Sequence, residues 1–149
     1  MKRYLRIAGI VIVVLLILIQ FIPVDRSNPP VTREVQWDSP ETRALAQRAC
    51  FDCHSNETVW PWYAYVAPVS LNVAHHVEEG RGRLNFSMWD QPNEDFREME
   101  KTIREGQMPL WDYLLAHSEA KLSDAEKEAL IAGLQATLAN DPPVERRRR

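Results

Sequence analysis

The chain lacks the features that define several common classes of protein. It has only two cysteines in 149 residues, too few for the disulfide framework of a small secreted domain. Its net charge is −3, whereas nucleic-acid-binding proteins usually carry an excess of basic residues, so we expect no nucleic-acid partner. The sequence shows no internal repeat, no Gly-rich phosphate loop and no convincing alternating strand pattern. These absences favour a small helical domain.

Capping residues and apolar spacing predict an all-α fold. Ser39-Pro40 is a strong helix start, with a capping hydroxyl and proline at the first helical position. Ser123 and Glu126 form a capping box, and Gly80 and Gly82 are expected to end a helix. The four predicted helices cover about 39–50, 68–79, 93–105 and 123–138.

Both cysteines fall in one short motif, Cys50-Phe51-Asp52-Cys53-His54. A C-x-x-C-H run is typical of covalent haem attachment, because two thiols match the two vinyl groups of the porphyrin. Residues 50 and 53 lie one helical turn apart, so both sulfur atoms share a face and His54 is available to the iron. We therefore predict one haem c per chain, with Cys50 and Cys53 as thioether attachments and His54 as the proximal iron ligand.

Two other interpretations of the motif remain open at this point. A bare C-x-x-C can be a thiol–disulfide redox centre, although that type expects a βαβ context and the flanks here are helical. A zinc site needs further ligands, and no third cysteine exists. His75 and His76 are available, but adjacent helical residues point in divergent directions.

The N-terminus predicts a membrane anchor. Residues 7–19 form an unbroken apolar run, preceded by Lys2, Arg3 and Arg6 and followed by no small-x-small cleavage site. We expect an uncleaved single span, with the basic end in the cytoplasm and the rest of the chain on the periplasmic or extracytoplasmic side of a bacterial inner membrane. The expected organisation is an anchor over 1–24, an extended linker over 25–37, a haem-binding domain over 38–140 and a basic tail over 141–149.

The second axial ligand is predicted from residue type and context. Met108 follows a helix stop in Gly106-Gln107-Met108-Pro109, where a loop thioether can face iron. His76 is the less favoured alternative, on the apolar face of the second helix. Met99 is expected to fill core space, and His117 is expected to be solvated. Met88 is left open as either a core residue or a ligand.

Other side chains near these segments have expected supporting roles. Five aromatic residues near the proposed ligand segments are expected both to fill a small core and to pack against the porphyrin, with no single ring assigned: Trp60, Trp62, Tyr63, Tyr65 and Trp111. Arg81 and Arg83 are expected in a solvated turn, with pairing to the haem propionates as the alternative. The Arg146–Arg149 run is expected to be a disordered tail.

The motif, the Met-Pro loop and the Leu122-Ser123-Asp124-Ala125-Glu126 helix start together resemble a mono-haem c-type cytochrome. The sequence around them is similar to the small bacterial haem-binding domain family with a C-x-x-C-H motif. The similar segments are Cys-His-Ser-Asn-Glu-Thr-Val-Trp-Pro-Trp-Tyr, Ala-Pro-Val-Ser, Glu-Gly-Arg, Leu-Asn-Phe-Ser and Gly-Gln-Met-Pro-Leu-Trp. This resemblance covers about residues 38 to 139. It implies covalent haem, His54 as the proximal ligand and an extracytoplasmic setting, and cytochrome analogy implies Met108 as the distal ligand.

The expected function is single-electron transfer between partner proteins outside the cytoplasm. We expect an electron carrier and no enzyme, because haem, anchor and Met-Pro loop agree on that role. A haem sensor or small peroxidase with a labile or open distal site is the alternative. A third possibility is a colourless thiol or zinc module.

Overall fold

The chain is all-helical in the residues that its computed structural model describes, 1–93, 96 and 98–144, which contain no β-strand. The fold-class prediction is therefore confirmed. Within the described residues, short 3-10 helices cover Ile19–Phe21, Trp62–Tyr65 and Ser118–Ala120. The α-helices are α1 (Lys2–Leu18), α2 (Pro40–Ala49), α3 (Phe51–His54), α4 (Val69–Arg83), α5 (Met99–Arg104), α6 (Trp111–Ala116) and α7 (Asp124–Asn140).

The chain divides into two compact units. The first consists of Met1–Ser27 and Trp60–His76, and the second of Asn28–Val59 and Val77–Arg149. Within the first unit, Lys2–Phe21 is long and apolar enough to cross a membrane, as the sequence predicts, and no residue of α1 is buried. Helix α4 begins in the first unit and ends in the second.

The second unit is built on the packing of α2 against α7. Ser39 caps α2 by accepting a hydrogen bond from the backbone N–H of Thr42, and Ser123 and Glu126 form the predicted capping box of α7. A side chain at Gly133 of α7 would overlap Thr42, so the two helices pack at close range. The core of this unit consists of Val35, Ala46, Ala49, Phe51, Leu84, Phe86, Trp89, Met99, Ile103, Leu122, Leu130, Ile131 and Leu134.

Residues 28–37 have no helix, as Pro29 and Pro30 predict, but part of this stretch is packed. The backbone N–H of Val35 donates to the carbonyl of Phe86, and the Val35 side chain is buried in the core. Arg33 pairs with the buried carboxylate of Asp141. The stretch therefore contributes to the folded unit.

Two predicted helix boundaries were wrong. Helix α4 continues through Gly80 and Gly82 to Arg83, because the glycines keep helical geometry and the N–H of Leu84 still bonds to the carbonyl of Gly80 at 2.9 Å. The helix expected from Asn93 starts only at Met99, although part of the earlier stretch (94, 95 and 97) lies outside the described residues. The Arg146–Arg149 tail also lies outside them.

Candidate functional site

The C-x-x-C-H motif lies where two short helices meet. Helix α2 ends at Ala49, and Cys50 is the N-cap residue of α3, with the N–H of His54 bonded to the Cys50 carbonyl at 2.9 Å. Phe51 anchors the segment because its side chain is buried and its ring stacks on Phe86 with centroids 5.8 Å apart. The core thereby fixes the position of the motif.

Asp52, the other intervening residue of the motif, makes two hydrogen bonds from its carboxylate. One oxygen accepts from the backbone N–H of Val59 at 2.9 Å, and the other accepts from the Tyr113 hydroxyl at 2.8 Å. Tyr113 belongs to α6, the helix that follows the Met-Pro loop. This hydrogen bond therefore connects the motif to the segment that carries the predicted distal ligand.

The His54 ring is oriented by the end of α4. Its Nδ1 lies 3.1 Å from the carbonyl oxygen of Gly80 and 3.0 Å from that of Leu84. Because carbonyl oxygens only accept hydrogen bonds, these contacts put the proton on Nδ1 and the lone pair on Nε2. That tautomer and this type of backbone support are typical of a histidine that ligates a metal.

Gly80 has a steric role beside the motif. A Cβ atom at residue 80 would overlap the carbonyl oxygen of Cys53 and would lie 3.0 Å from its carbonyl carbon. The absence of a side chain lets α4 approach the Cys53 backbone and bring the Gly80 carbonyl to His54. At Gly82 on the same helix, a Cβ would meet nothing within 4 Å.

A cleft in the second unit brings together three of the predicted site residues, Cys50, His54 and Met108. Its empty volume, including the open solvent at its mouth, is about 570 Å³. The other residues that line the cleft are Leu84, Phe86, Glu98, Met99, Thr102, Ile103 and Leu134. Sequence reasoning missed most of this wall, because its members come from separate elements.

The Met108 loop is held to α5. The carbonyl of Thr102 accepts hydrogen bonds from the N–H groups of Gln107 at 2.9 Å and Met108 at 3.2 Å. Gly106 has a φ of +68°, which allows the chain to turn back along the helix. Met108 is 36% exposed, whereas Met99 is buried on the cleft wall as expected for core filler.

The two cysteines are free thiols, and their surroundings favour the protonated form. Burial raises the pKa of Cys50 to about 12, with a further contribution from the neighbouring Cys53. Burial, followed by the nearby carboxylates of Asp52 and Asp112, raises the pKa of Cys53 to about 12. A reactive C-x-x-C redox centre needs a lowered thiol pKa, so these environments do not favour that interpretation.

The described residues contain no group of three or more His, Cys, Asp and Glu side chains that could hold a metal ion. They therefore show no assembled zinc site. His76 is half-buried and His75 is exposed, both on the part of α4 that belongs to the first unit. The assignment of His76 as an alternative ligand stays a prediction.

The expectations that Arg81 and His117 are solvated were wrong. Arg81 is half-buried in a helix, where its guanidinium donates to the Ser55 carbonyl at 2.8 Å and to the Thr58 hydroxyl at 2.8 Å. His117 stacks on Tyr113 with ring centroids 4.0 Å apart and is half-buried. Of the five aromatic residues near the motif, Trp62 and Trp111 are largely exposed, and the packing of this group against the porphyrin stays a prediction.

Comparison with known proteins identifies a family and no individual relative. Neither a curated protein nor a solved structure matches the chain. A family described as the haem-binding domain matches residues 14–136, which include the motif, the cleft residues and most of α7. The chain therefore belongs to the haem-binding domain family.

Proposed function

We propose that the chain binds one haem covalently, through Cys50 and Cys53, with the Nε2 atom of His54 as an axial iron ligand. The observation that carries this proposal is that Cys50, His54 and Met108 line the same cleft. The donor set fits haem c, because it supplies thiols for attachment, an imidazole nitrogen and a thioether sulfur. The Nδ1–carbonyl contacts of His54 support the same assignment.

The second part of the proposal is single-electron transfer. When bound, haem supplies an iron that changes between the ferrous and ferric states. The apolar side chains of Leu84, Phe86 and Ile103 would exclude water from the buried side of the cofactor. Met108 is the proposed sixth ligand and His76 the alternative. A site with both axial positions filled favours electron transfer between redox partner proteins over catalysis.

The third part concerns location. The span Lys2–Phe21 would anchor the chain in a bacterial inner membrane without cleavage, and Lys2, Arg3 and Arg6 would stay in the cytoplasm. Residues 25–149 would then lie in the periplasm or another extracytoplasmic space. The extracytoplasmic side of the membrane suits both covalent haem attachment and contact with redox partners located there.

Covalent attachment is tested by haem staining of the full chain after denaturing electrophoresis. The wild-type band should keep its haem stain, and a Cys50→Ser/Cys53→Ser double variant should lose it. The matched control is Ser55→Cys in the double variant, which restores one thiol outside the motif and should restore no stain. Complete extraction of haem from the wild-type chain by acidified acetone would contradict covalent attachment.

A haem sensor or small peroxidase is the second candidate function. It is favoured by one observation: Met108 is 36% exposed, on a loop joined to Thr102 by backbone hydrogen bonds. Such a ligand can be displaced by a small molecule. Rapid carbon monoxide binding to the reduced protein, at a rate that Met108→Ala does not increase, would favour this function over electron transfer.

A further inference from the structure

Residues 60–69, which we call the aromatic segment, expose large apolar side chains in the first unit. Trp62 is 78% exposed, Tyr65 is 60% exposed, and Val66 and Val69 are each 47% exposed. Ala64 and Ala67 between them are buried. The segment thus buries two alanines and exposes four large apolar residues, while Trp60 and Tyr63 are half-buried. Exposure of several large apolar side chains in one short segment is unfavourable in water.

The same part of the chain has no charged side chains. Residues 60–76 contain no Asp, Glu, Lys or Arg, whereas charged residues make up 26% of the whole chain. A stretch of this length with the average composition would carry about four charges. Transfer of charged groups out of water is costly, so the composition suits contact with an apolar phase.

The aromatic segment is fastened to the end of the candidate membrane span. The amide nitrogen of Gln20 donates to the carbonyl of Ala67 at 3.0 Å, and its amide oxygen accepts from the Ala67 N–H at 3.0 Å. Arg26 donates to the carbonyl of Ala64 at 2.6 Å and places its guanidinium 4.7 Å from the centre of the Tyr65 ring. These contacts lie entirely within the first unit.

The position of Gln20 sets the depth of these contacts. Lys2–Phe21 contains 20 residues, and at about 1.5 Å per residue such a helix spans the ~30 Å hydrocarbon core of a bilayer. Gln20 therefore falls at the boundary between hydrocarbon and headgroups. Ala67, bonded to it at both polar atoms, falls at the same level.

We propose that the aromatic segment lies in the headgroup region of the lipid bilayer, as a second membrane contact beside the single span. Tryptophan and tyrosine are enriched at this level because their rings are apolar and their N–H and O–H groups remain hydrated. The side chains that enter the lipid are Trp62, Tyr65, Val66 and Val69. The proposal rests on the membrane-anchor part of the proposed function.

The test is photolabelling of the full chain in phosphatidylcholine vesicles by a phospholipid with a diazirine on its acyl chain, followed by mass spectrometry. Trp111 is the internal control, because it is 75% exposed and lies in the second unit. We expect Trp62 and Tyr65 to be labelled roughly fivefold or more above Trp111. Equal labelling of Trp62 and Trp111 would overturn the proposal.

The variant Gln20→Leu tests the connection to the span. It keeps α1 apolar and removes both hydrogen bonds to Ala67, so labelling of Trp62 should fall severalfold while labelling of α1 stays unchanged. Unchanged Trp62 labelling would refute the role of Gln20. A labelled α1 with unlabelled Trp62 contradicts only this inference, whereas an unlabelled α1 contradicts the anchor itself. The haem spectrum of the same sample tests the haem proposal separately.

Discussion

Gly80 lies against the backbone of Cys53, at a distance that leaves no space for a side chain between α4 and the C-x-x-C-H motif. The carbonyl of the same glycine contacts Nδ1 of His54 at 3.1 Å. One residue of α4 therefore determines both how close the helix approaches the motif and how the proposed iron ligand is oriented. This relationship makes the fold of the proposed haem site sensitive to a single methyl group.

We predict opposite effects for alanine at the two glycines of α4. Gly80→Ala should lower the free energy of unfolding by about 1–3 kcal/mol, because its methyl group overlaps the Cys53 carbonyl. Gly82→Ala should raise it by about 0.4–1 kcal/mol, because the site is open and alanine restricts the unfolded chain. Urea denaturation of both variants measures the difference, and equal effects would contradict the steric role of Gly80.

The same contact should affect the bound cofactor. Displacement of α4 in Gly80→Ala would lengthen the Nδ1–carbonyl contacts, and weaker support of Nδ1–H makes the imidazole a poorer donor to iron. We therefore expect a higher reduction potential in Gly80→Ala and an unchanged one in Gly82→Ala. Potentiometric titration of the haem-loaded variants measures this, and a shift common to both would point to a general effect of the helix.

Local signals and tertiary contacts account for what the sequence could and could not predict. The starts of α2 and α7 depend on Ser39 and Ser123, which cap their own helices, so they were predicted correctly. Gly80 was interpreted as a helix stop, although its conformation is helical. A glycine is needed at this position because a side chain would overlap the backbone of Cys53. A contact with a residue 27 positions earlier leaves no local sequence signal.

The site shows the same division. The motif predicted Cys50, Cys53 and His54, and the structure places Cys50 and His54 on the cleft with Met108, whereas Cys53 is not among the residues that line it. Thr102 was not predicted, because its contribution is a backbone carbonyl that holds the Met108 loop. The backbone carbonyls of Thr102, Gly80 and Leu84 are positioned by the fold, and any residue type would supply the same carbonyl. The sequence therefore carries no signal for them.

Tyr113→Phe should weaken the connection between α6 and the motif. The variant removes the 2.8 Å hydrogen bond to the Asp52 carboxylate and keeps the ring, so we expect a loss of about 1–2 kcal/mol in the free energy of unfolding. A double-mutant cycle with Asp52→Ala, which removes the acceptor, isolates this contact. Tyr65→Phe is the control, because the Tyr65 side chain is exposed. An additive cycle would show that the contact contributes nothing.

The distal ligand is identified by comparing three variants. Met108→Ala should abolish the sulfur–iron charge-transfer band of the oxidised protein and lower its reduction potential, because methionine ligation favours the ferrous state. Met99→Leu should keep both, since Met99 fills the buried wall of the cleft. If His76→Ala changes the spectrum and Met108→Ala does not, the alternative ligand is correct.

The haem-free chain should have unreactive thiols at neutral pH. With the pKa of Cys50 and Cys53 raised to about 12, the thiolate fraction at pH 8 is on the order of 10⁻⁴, so alkylation by iodoacetamide should be about 10³-fold slower than in the unfolded chain. The rate should rise about tenfold per pH unit up to about pH 12.

Because the folded pKa exceeds the unfolded value, the two thiols stabilise the fold below about pH 8.5, and this stability is lost as the pH rises toward 12. Cys53→Ser isolates Cys50, and rapid alkylation at pH 8 would favour a thiol redox centre over haem attachment.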